Sequence, residues 1–137
     1  MKKMAVIRKA NFSAAHKLWN EKWSTEKNKA VFGLCANENF HGHNYNLELK
    51  VVGEIDAETG YVIDLKIIKK IIKEEIEDRF DHKNLNLDTK EFAQLNPTAE
   101  NIAIVIYDII RQQLDEKYAL YIKLWETEKN CVEYPYP

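Results

Sequence analysis

The segment CANENFHGHNY, residues 35–45, carries a thiol and two of the four histidines in the chain. His41 and His43 lie two positions apart, and on a β-strand such positions point to the same face of the sheet. A catalytic zinc ion usually takes three protein ligands and keeps one position open. His16, which ends the segment FSAAH, is the natural third ligand, so the sequence predicts an open three-histidine metal site. The alternative is a strand with two partly buried histidines, each held by a hydrogen bond.

Regular alternation of apolar and polar residues continues from this segment and predicts a β-strand over residues 41–51. The two histidines share the apolar face of that strand, so an ion bound by them would lie at the rim of the core. Residues 4–16 predict a first strand with a bulge or bend, because the alternation slips there. Residues 17–34 predict a loop with a helical turn over 24–31, and a connection of this length is typical of a functional loop that covers a site.

The rest of the chain predicts two helices followed by two strands. Asp64 caps the first helix, whose apolar residues recur every three or four positions up to Phe80. The second helix begins near Thr98, directly after a proline. The remaining elements are a polar loop over 81–86 and strands over 119–127 and 131–134. This ββααββ order predicts an α+β domain whose antiparallel sheet carries both helices on one face and leaves open edges for pairing with another copy.

Glu126 is an unexpected residue on the strand predicted over residues 119–127. It continues the face formed by Leu120, Ile122 and Leu124, where a carboxylate is costly unless it is paired or near solvent. One interpretation is a strand end at which this face meets water. The other is an anchor for a ligand that offers several N–H donors.

The composition excludes several classes of function. With 20 basic and 22 acidic residues, the formal net charge of -2 gives no support to nucleic-acid binding. No apolar run reaches the length of a membrane span, and the start MKKM lacks a following signal region, which predicts a cytoplasmic protein without a membrane partner. The length suits one domain over 1–137. Cys35 and Cys131 are expected to be free thiols in a reducing compartment.

Short motifs of a known enzyme family occur in order along nearly the whole chain. They are FSAAH (12–16), Cys35 ahead of HGHNY (41–45), Thr59-Gly60 leading to Asp64, DHKNL (81–85), PTAEN (97–101) and WET (125–127). With them the chain resembles the 6-pyruvoyl-tetrahydropterin synthase family, which includes the bacterial 6-carboxy-tetrahydropterin synthases. The resemblance implies a tunnelling fold, in which the sheets of three protomers join into a barrel. Two such trimers would stack into a hexamer with active sites at the subunit interfaces.

The resemblance also implies a role for each matching residue. In the family pattern three histidines hold zinc, a cysteine is the general base, a neighbouring subunit supplies an Asp-His proton relay, and a glutamate binds the guanidine-like edge of the pterin. The corresponding residues here are His16, His41 and His43 for zinc, Cys35 for the base, Asp81 and His82 for the relay, and Glu126 with Thr98 for the substrate.

The chemistry of these residue types agrees with the implied roles. A zinc ion can bind the side-chain hydroxyls of the substrate and acidify the neighbouring C–H and O–H groups. Cys35 has an ordinary pKa of about 8.5, which a cationic neighbourhood would lower towards neutrality. His82, oriented by Asp81, can pass a proton in or out. Two N–H groups of a pterin would bind the Glu126 carboxylate in a bidentate manner.

The implied substrate is 7,8-dihydroneopterin triphosphate, and the sequence leaves three products open. Asn96-Pro97-Thr98 favours the 6-carboxy-5,6,7,8-tetrahydropterin product of the queuosine route, which is our first expectation. The long spacing between His16 and Cys35 favours the 6-pyruvoyl product of tetrahydrobiopterin synthesis. Glu38, close to Cys35, leaves cleavage to 6-hydroxymethyl-dihydropterin as a third possibility. The alternative of another class is a non-catalytic module that binds a pterin or a metal.

Overall fold

Long strands form the sheet, as the sequence predicts, but the bulge or bend expected over residues 4–16 is wrong, because residues 3–16 pair one to one with residues 41–54. The computed structural model describes residues 2–136. The four longer strands are β1 (Lys3–His16), β2 (His41–Glu54), β4 (Ala119–Trp125) and β5 (Cys131–Tyr134), and a two-residue strand is β3 (Lys83–Asn84). Their order in the sheet is β3-β1-β2-β4-β5. The pairs β1–β2, β2–β4 and β4–β5 are antiparallel, but β3 runs parallel to β1, so the expectation of a wholly antiparallel sheet is wrong at this edge.

Capping side chains begin the helices at the predicted positions. The helices are α1 (Thr25–Phe32), α2 (Leu65–Ile71), α3 (Asp78–Phe80), α4 (Leu85–Asp88) and α5 (Ala99–Gln113), with a 3-10 turn over Gly33–Ala36 and a π-helical segment over Ile72–Glu77. Ser24 caps α1, Asp64 caps α2 and Thr98 caps α5, each side chain accepting a backbone N–H. The prediction of a polar loop over 81–86 is wrong for residues 83–86, which β3 and the start of α4 occupy.

The π-helical segment keeps one side of a long helix against the sheet. Ile68, Ile72, Ile76 and Phe80 are all buried and lie four positions apart. In an α-helix a step of four residues overshoots one turn by about 40°, so four such residues would drift around the helix. The wider turn of the segment Ile72–Glu77 counters that drift. Phe80 therefore reaches Phe12 of β1, at a ring-centroid distance of 6.1 Å, and the chain leaves the helix beside that strand.

The core lies between the helices and one face of the sheet. Tyr45, Leu47, Leu49 and Val51 of β2 are buried, which confirms the predicted apolar face of that strand. No helix within residues 2–136 is both long and apolar enough to span a membrane.

Candidate metal centre and active site

The three predicted histidines come together at one end of the β1–β2 ladder. The antiparallel register places His16 opposite His41 and Ala14 opposite His43. One ligand atom from each imidazole lies within 4.8 Å of the others, and the Nε2 atoms of His16 and His41 are 2.9 Å apart. This clustering is the geometry that alternation along two strands predicts.

The proton on His16 is assigned by a backbone carbonyl. Nδ1 of His16 lies 2.8 Å from the carbonyl oxygen of Pro97, at the start of the turn that leads into α5. A carbonyl only accepts, so Nδ1 carries the proton and donates it. Nε2 is left without a proton, and it is the atom that faces His41. His16 is fully buried, so this orientation is held by its surroundings.

Burial favours the neutral form of His16 and of His41. Desolvation lowers the pKa of His16 to about 4, with the Pro97 carbonyl acting in the opposite direction and the two other histidines contributing further lowering. Desolvation is also the main cause of the lowered pKa of His41, followed by His43. Nδ1 of His41 and Nε2 of His43 are buried without a hydrogen-bond partner within residues 2–136. Neutral imidazoles with unpaired buried nitrogens fit a bound metal ion.

Acid conditions are expected to destabilise the metal-free protein through His16. Its imidazole takes up a proton below pH 6.5 when unfolded but only below about 4 when folded. Between these values the unfolded state binds more protons, so the free energy of unfolding falls as the pH falls, by up to about 3 kcal/mol from this group. Urea unfolding with a chelator present, at neutral pH and at about pH 4.5, measures the loss. His16→Gln, which cannot titrate, should lose less stability; an equal loss would contradict this account.

Glu126 lies directly after β4, at the border between the core and a cavity. Its Oε1 is 3.8 Å from Nε2 of His43, beyond hydrogen-bond range. The side chain is 27% exposed and lines a cavity of about 370 Å³ together with Leu18, Thr98 and Cys131. The carboxylate is thus at a strand end, as the first interpretation predicts, and it faces a cavity next to the histidines. The second interpretation, an anchor for a ligand, stays a prediction.

Cys35 is positioned by a short 3-10 turn and by a contact with the end of β1. Its carbonyl accepts a hydrogen bond of 2.8 Å from the N–H of Leu18, two residues after His16. The side chain is half-buried. Burial, followed by the negative charge of Glu126, raises the pKa of the Cys35 thiol. Both causes act in the metal-free single chain, so the expectation that a cationic neighbourhood lowers this pKa stays a prediction.

Asp81 and His82 lie at the edge of β1. Oδ1 of Asp81 accepts the N–H of Ser13 at 2.8 Å, and Oδ2 lies 3.0 Å from Nδ1 of His82. The Ser13 N–H, then His82, lower the pKa of Asp81. His82 has a positive φ of 61°, which is rare outside glycine, and its side chain is 85% exposed. Within residues 2–136, no hydrogen bond joins this pair to Cys35 or to the three histidines.

Several supporting residues were not identified from the sequence. Asn28 is fully buried in α1, where it accepts the N–H of Asn20 and donates to the carbonyls of Asn20 and Ser24. These bonds close the loop that leads to the Cys35 turn. Asn86 accepts the N–H of Lys17 and donates to its carbonyl, which secures the residue after His16. A capped helix was predicted around Asn28, but no sequence signal marked that residue as buried.

Comparison with known proteins identifies the family. The family model described as 6-pyruvoyl tetrahydropterin synthase matches residues 5–136. The chain belongs to this family. A 6-pyruvoyl tetrahydrobiopterin synthase of Drosophila melanogaster is 44% identical over 135 residues, covering 96% of this chain and 80% of the relative. A 6-carboxy-5,6,7,8-tetrahydropterin synthase of Rickettsia typhi is 33% identical over 144 residues, covering 92% of this chain and 96% of the relative.

A solved structure supports the fold of this pterin synthase family member. The 6-pyruvoyl tetrahydropterin synthase of Caenorhabditis elegans superposes with a TM-score of 0.92 at 37% identity, covering 98% of this chain and 96% of that chain. The likeness confirms the predicted α+β tunnelling fold.

Proposed function

We propose that this chain is a zinc-dependent lyase that acts on 7,8-dihydroneopterin triphosphate and releases triphosphate to form 6-pyruvoyl tetrahydropterin. The observation that carries the proposal is the cluster of His16, His41 and His43 beside a cavity lined by Glu126. The cluster offers a place for a Lewis acid, and the cavity offers a carboxylate for a nitrogen-rich ring. Both cysteines are free, which suits a reducing cytoplasmic setting.

The pyruvoyl product replaces our first expectation, because the relatives favour it. The Drosophila relative that bears the pyruvoyl name is 44% identical to this chain, whereas the Rickettsia relative that bears the carboxy name is 33% identical. The carboxy product stays as the second candidate, since that match also covers most of the chain.

The donor set fits zinc better than a hard cation. Imidazole nitrogens suit zinc and other transition metals, whereas Mg²⁺ and Ca²⁺ prefer oxygen ligands. His16, His41 and His43 would hold the ion and leave one position open for substrate. When bound, zinc would acidify the C–H and O–H groups of the substrate side chain. The low pKa of His16 keeps that imidazole unprotonated at neutral pH, as ligation requires.

Glu126 and Thr98 are the proposed pterin-binding residues. They line the same cavity of about 370 Å³, and Oε1 of Glu126 lies 3.8 Å from Nε2 of His43. A pterin ring bound in this cavity would therefore direct the substrate's own side chain towards the histidines. The Glu126 carboxylate would accept two N–H bonds from the edge of the pterin. The hydroxyl of Thr98 already accepts the N–H of Asn101 as the cap of α5, so it has its own donor left for a ligand.

Cys35 is the proposed base, and Asp81 with His82 the proposed relay from another copy of the chain. The raised pKa of the Cys35 thiol means that a positive neighbour is needed to draw off its proton. The proposed zinc ion would be such a neighbour, and the exposed imidazole of His82 from a second copy, held by its carboxylate, would relay the proton.

The sheet supports assembly because its outer edges lack partners. One edge of β1 pairs with β2 along its whole length. On the other edge β3 pairs only with Ala14 and Ala15, so this edge has no strand partner from Lys3 to Phe12 within residues 2–136. Met4 and Ile7 on this strand are 54% and 51% exposed. An unpaired edge with exposed apolar residues favours pairing with another chain.

Assembly into a hexamer is the expected result in solution. Pairing of the free edges would close a barrel from three sheets, and two barrels would stack. Light scattering of the purified protein should give six times the chain mass of 16.1 kDa. A monomer at working concentration would contradict a site shared between subunits.

Product analysis tests the proposed reaction directly. The zinc-loaded protein is incubated with 7,8-dihydroneopterin triphosphate, and the pterin is identified by mass spectrometry. The expected result is release of triphosphate together with a 6-pyruvoyl pterin. A 6-carboxy pterin with acetaldehyde would support the second candidate instead. If no triphosphate were released, the chain would be a non-catalytic module that binds a pterin or a metal.

A further inference from the structure

The hydroxyl of Tyr45 contacts His16, one of the three clustered histidines. It lies 3.3 Å from Nδ1 of His16, and Tyr45 is fully buried. The ring stacks on Phe12 with centroids 4.9 Å apart and an angle of 14° between the planes. Phe12 and Tyr45 are cross-strand partners in the β1–β2 ladder, so the register sets the position of the hydroxyl. A buried phenol ordinarily finds a polar partner, and here that partner is a proposed metal ligand.

The hydrogen bonds of His16 define what the Tyr45 hydroxyl does. Nδ1 of His16 carries a proton, because its nearest partner at 2.8 Å is the carbonyl of Pro97. The oxygen of Tyr45 is therefore a second acceptor for the same N–H, at a longer distance. A tyrosine that donated its proton to Nδ1 would leave this nitrogen facing the Pro97 oxygen without a hydrogen between them. The Pro97 carbonyl thus selects the tautomer in which Nε2 is free, and the Tyr45 oxygen is a second acceptor that holds the same N–H in place.

We propose that Tyr45 is a positioning residue for the metal centre. Together with the Pro97 carbonyl it holds the imidazole of His16 so that Nε2 points at His41 and His43. This inference rests on the proposed function, because it gives Tyr45 its role through a bound metal. Partners that fix the second nitrogen of a ligating histidine raise metal affinity, and their loss typically costs 10- to 100-fold. Because the Pro97 bond remains in place, the expected loss here is about tenfold.

The competing explanation is that Tyr45 only fills the core. Its ring contributes to packing whether or not the hydroxyl contacts His16. Tyr45→Phe removes the hydroxyl and keeps the ring, whereas Phe12→Leu disturbs the packing under the ring and keeps the hydroxyl. These two variants separate the roles. The hydrogen bond from His16 to Pro97 survives in Tyr45→Phe, so no buried N–H is left unpaired in that variant.

The test is a zinc competition titration against a chromogenic chelator, without substrate, alongside thermal unfolding of the metal-free proteins. Tyr45→Phe should weaken zinc binding about tenfold while the unfolding temperature stays close to that of the wild type. Phe12→Leu should lower the unfolding temperature and leave zinc affinity within about twofold. Unchanged zinc affinity in Tyr45→Phe would overturn the inference alone, as would an equal loss in Phe12→Leu. If the wild type bound no zinc, the metal centre of the proposed function would fall, and the inference with it.

Discussion

Replacing Cys35 with alanine should abolish turnover of 7,8-dihydroneopterin triphosphate while the protein keeps its metal. The thiol is the proposed base, and removing a positioned base typically lowers the rate by about 10²- to 10⁴-fold. Metal binding should persist, because the cluster of three histidines does not include Cys35 among residues 2–136. The backbone contact from Leu18 to the carbonyl of residue 35 does not depend on the side chain, so the turn should stay in place. Triphosphate release and elemental analysis measure the two properties.

The chain offers a matched control in its other thiol. Cys131 lines the cavity beside Glu126 and is exposed, but it has no proposed part in proton transfer. Cys131→Ala should therefore retain most of the activity. Full turnover in Cys35→Ala would remove Cys35 from the mechanism, and loss of metal from that variant would show that its effect is indirect.

The pH dependence of the reaction bears on the same thiol. Burial and Glu126 raise the pKa of Cys35 in the single chain, which works against a base at neutral pH. The assembled site must reverse this direction if the thiol is to act. In the proposed site the metal ion held by the three histidines would supply the positive charge, and His82 of a neighbouring copy, oriented by Asp81, would relay the proton. Assembly and proton transfer are thus linked in the proposed mechanism.

Strand periodicity explains why the cluster of three histidines could be predicted from sequence. Side chains on a strand alternate strictly, so His41 and His43 had to share a face once β2 was recognised. The same parity assigned His16 to the face of Phe12, and the observed register then set it opposite His41. The same rule assigned Glu126 to the face of Leu120, Ile122 and Leu124, although the strand ends at Trp125, earlier than predicted. These positions follow from the alternation of side chains along each strand and from the pairing of β1 with β2.

Contacts between distant segments could not be predicted in this way. The carbonyl that assigns the proton on His16 belongs to Pro97, 81 positions later in the chain. Asn86 binds the backbone of Lys17 across 69 positions. A backbone carbonyl has no residue identity to read, and an asparagine in a polar segment looks like a solvated side chain. Such contacts depend on how the loops pack, and only the structure shows them.

The short parallel strand β3 beside β1 was not predicted, for a different reason. A polar segment after a helix ordinarily predicts an irregular loop, but here Asp81 and His82 bind both backbone groups of Ser13 and begin a parallel pairing. The π-helical segment that leads there did have a signal. Ile68, Ile72, Ile76 and Phe80 recur at intervals of four, which a regular α-helix does not keep on one face.

Replacing His16 with alanine should strip the metal from the protein. His16 supplies one of three nitrogens and is the most deeply buried of them, so two imidazoles would remain where an open zinc site needs three protein ligands. Loss of a direct ligand should exceed the 10- to 100-fold effect of losing a supporting partner, so we expect affinity to fall by more than about 100-fold. Elemental analysis after dialysis should then find no stoichiometric zinc.

His82→Ala is the matched control, because it removes an imidazole that is exposed and outside the cluster. That variant should keep its zinc and lose activity, whereas His16→Ala should lose both. Unfolding of each metal-free variant must be measured as well, since removing a buried side chain costs stability by itself. Stoichiometric zinc in a folded His16→Ala protein would refute the ligand set. Zinc loss in His82→Ala would mean that the relay histidine also supports the metal. The two variants would then not separate metal binding from proton transfer.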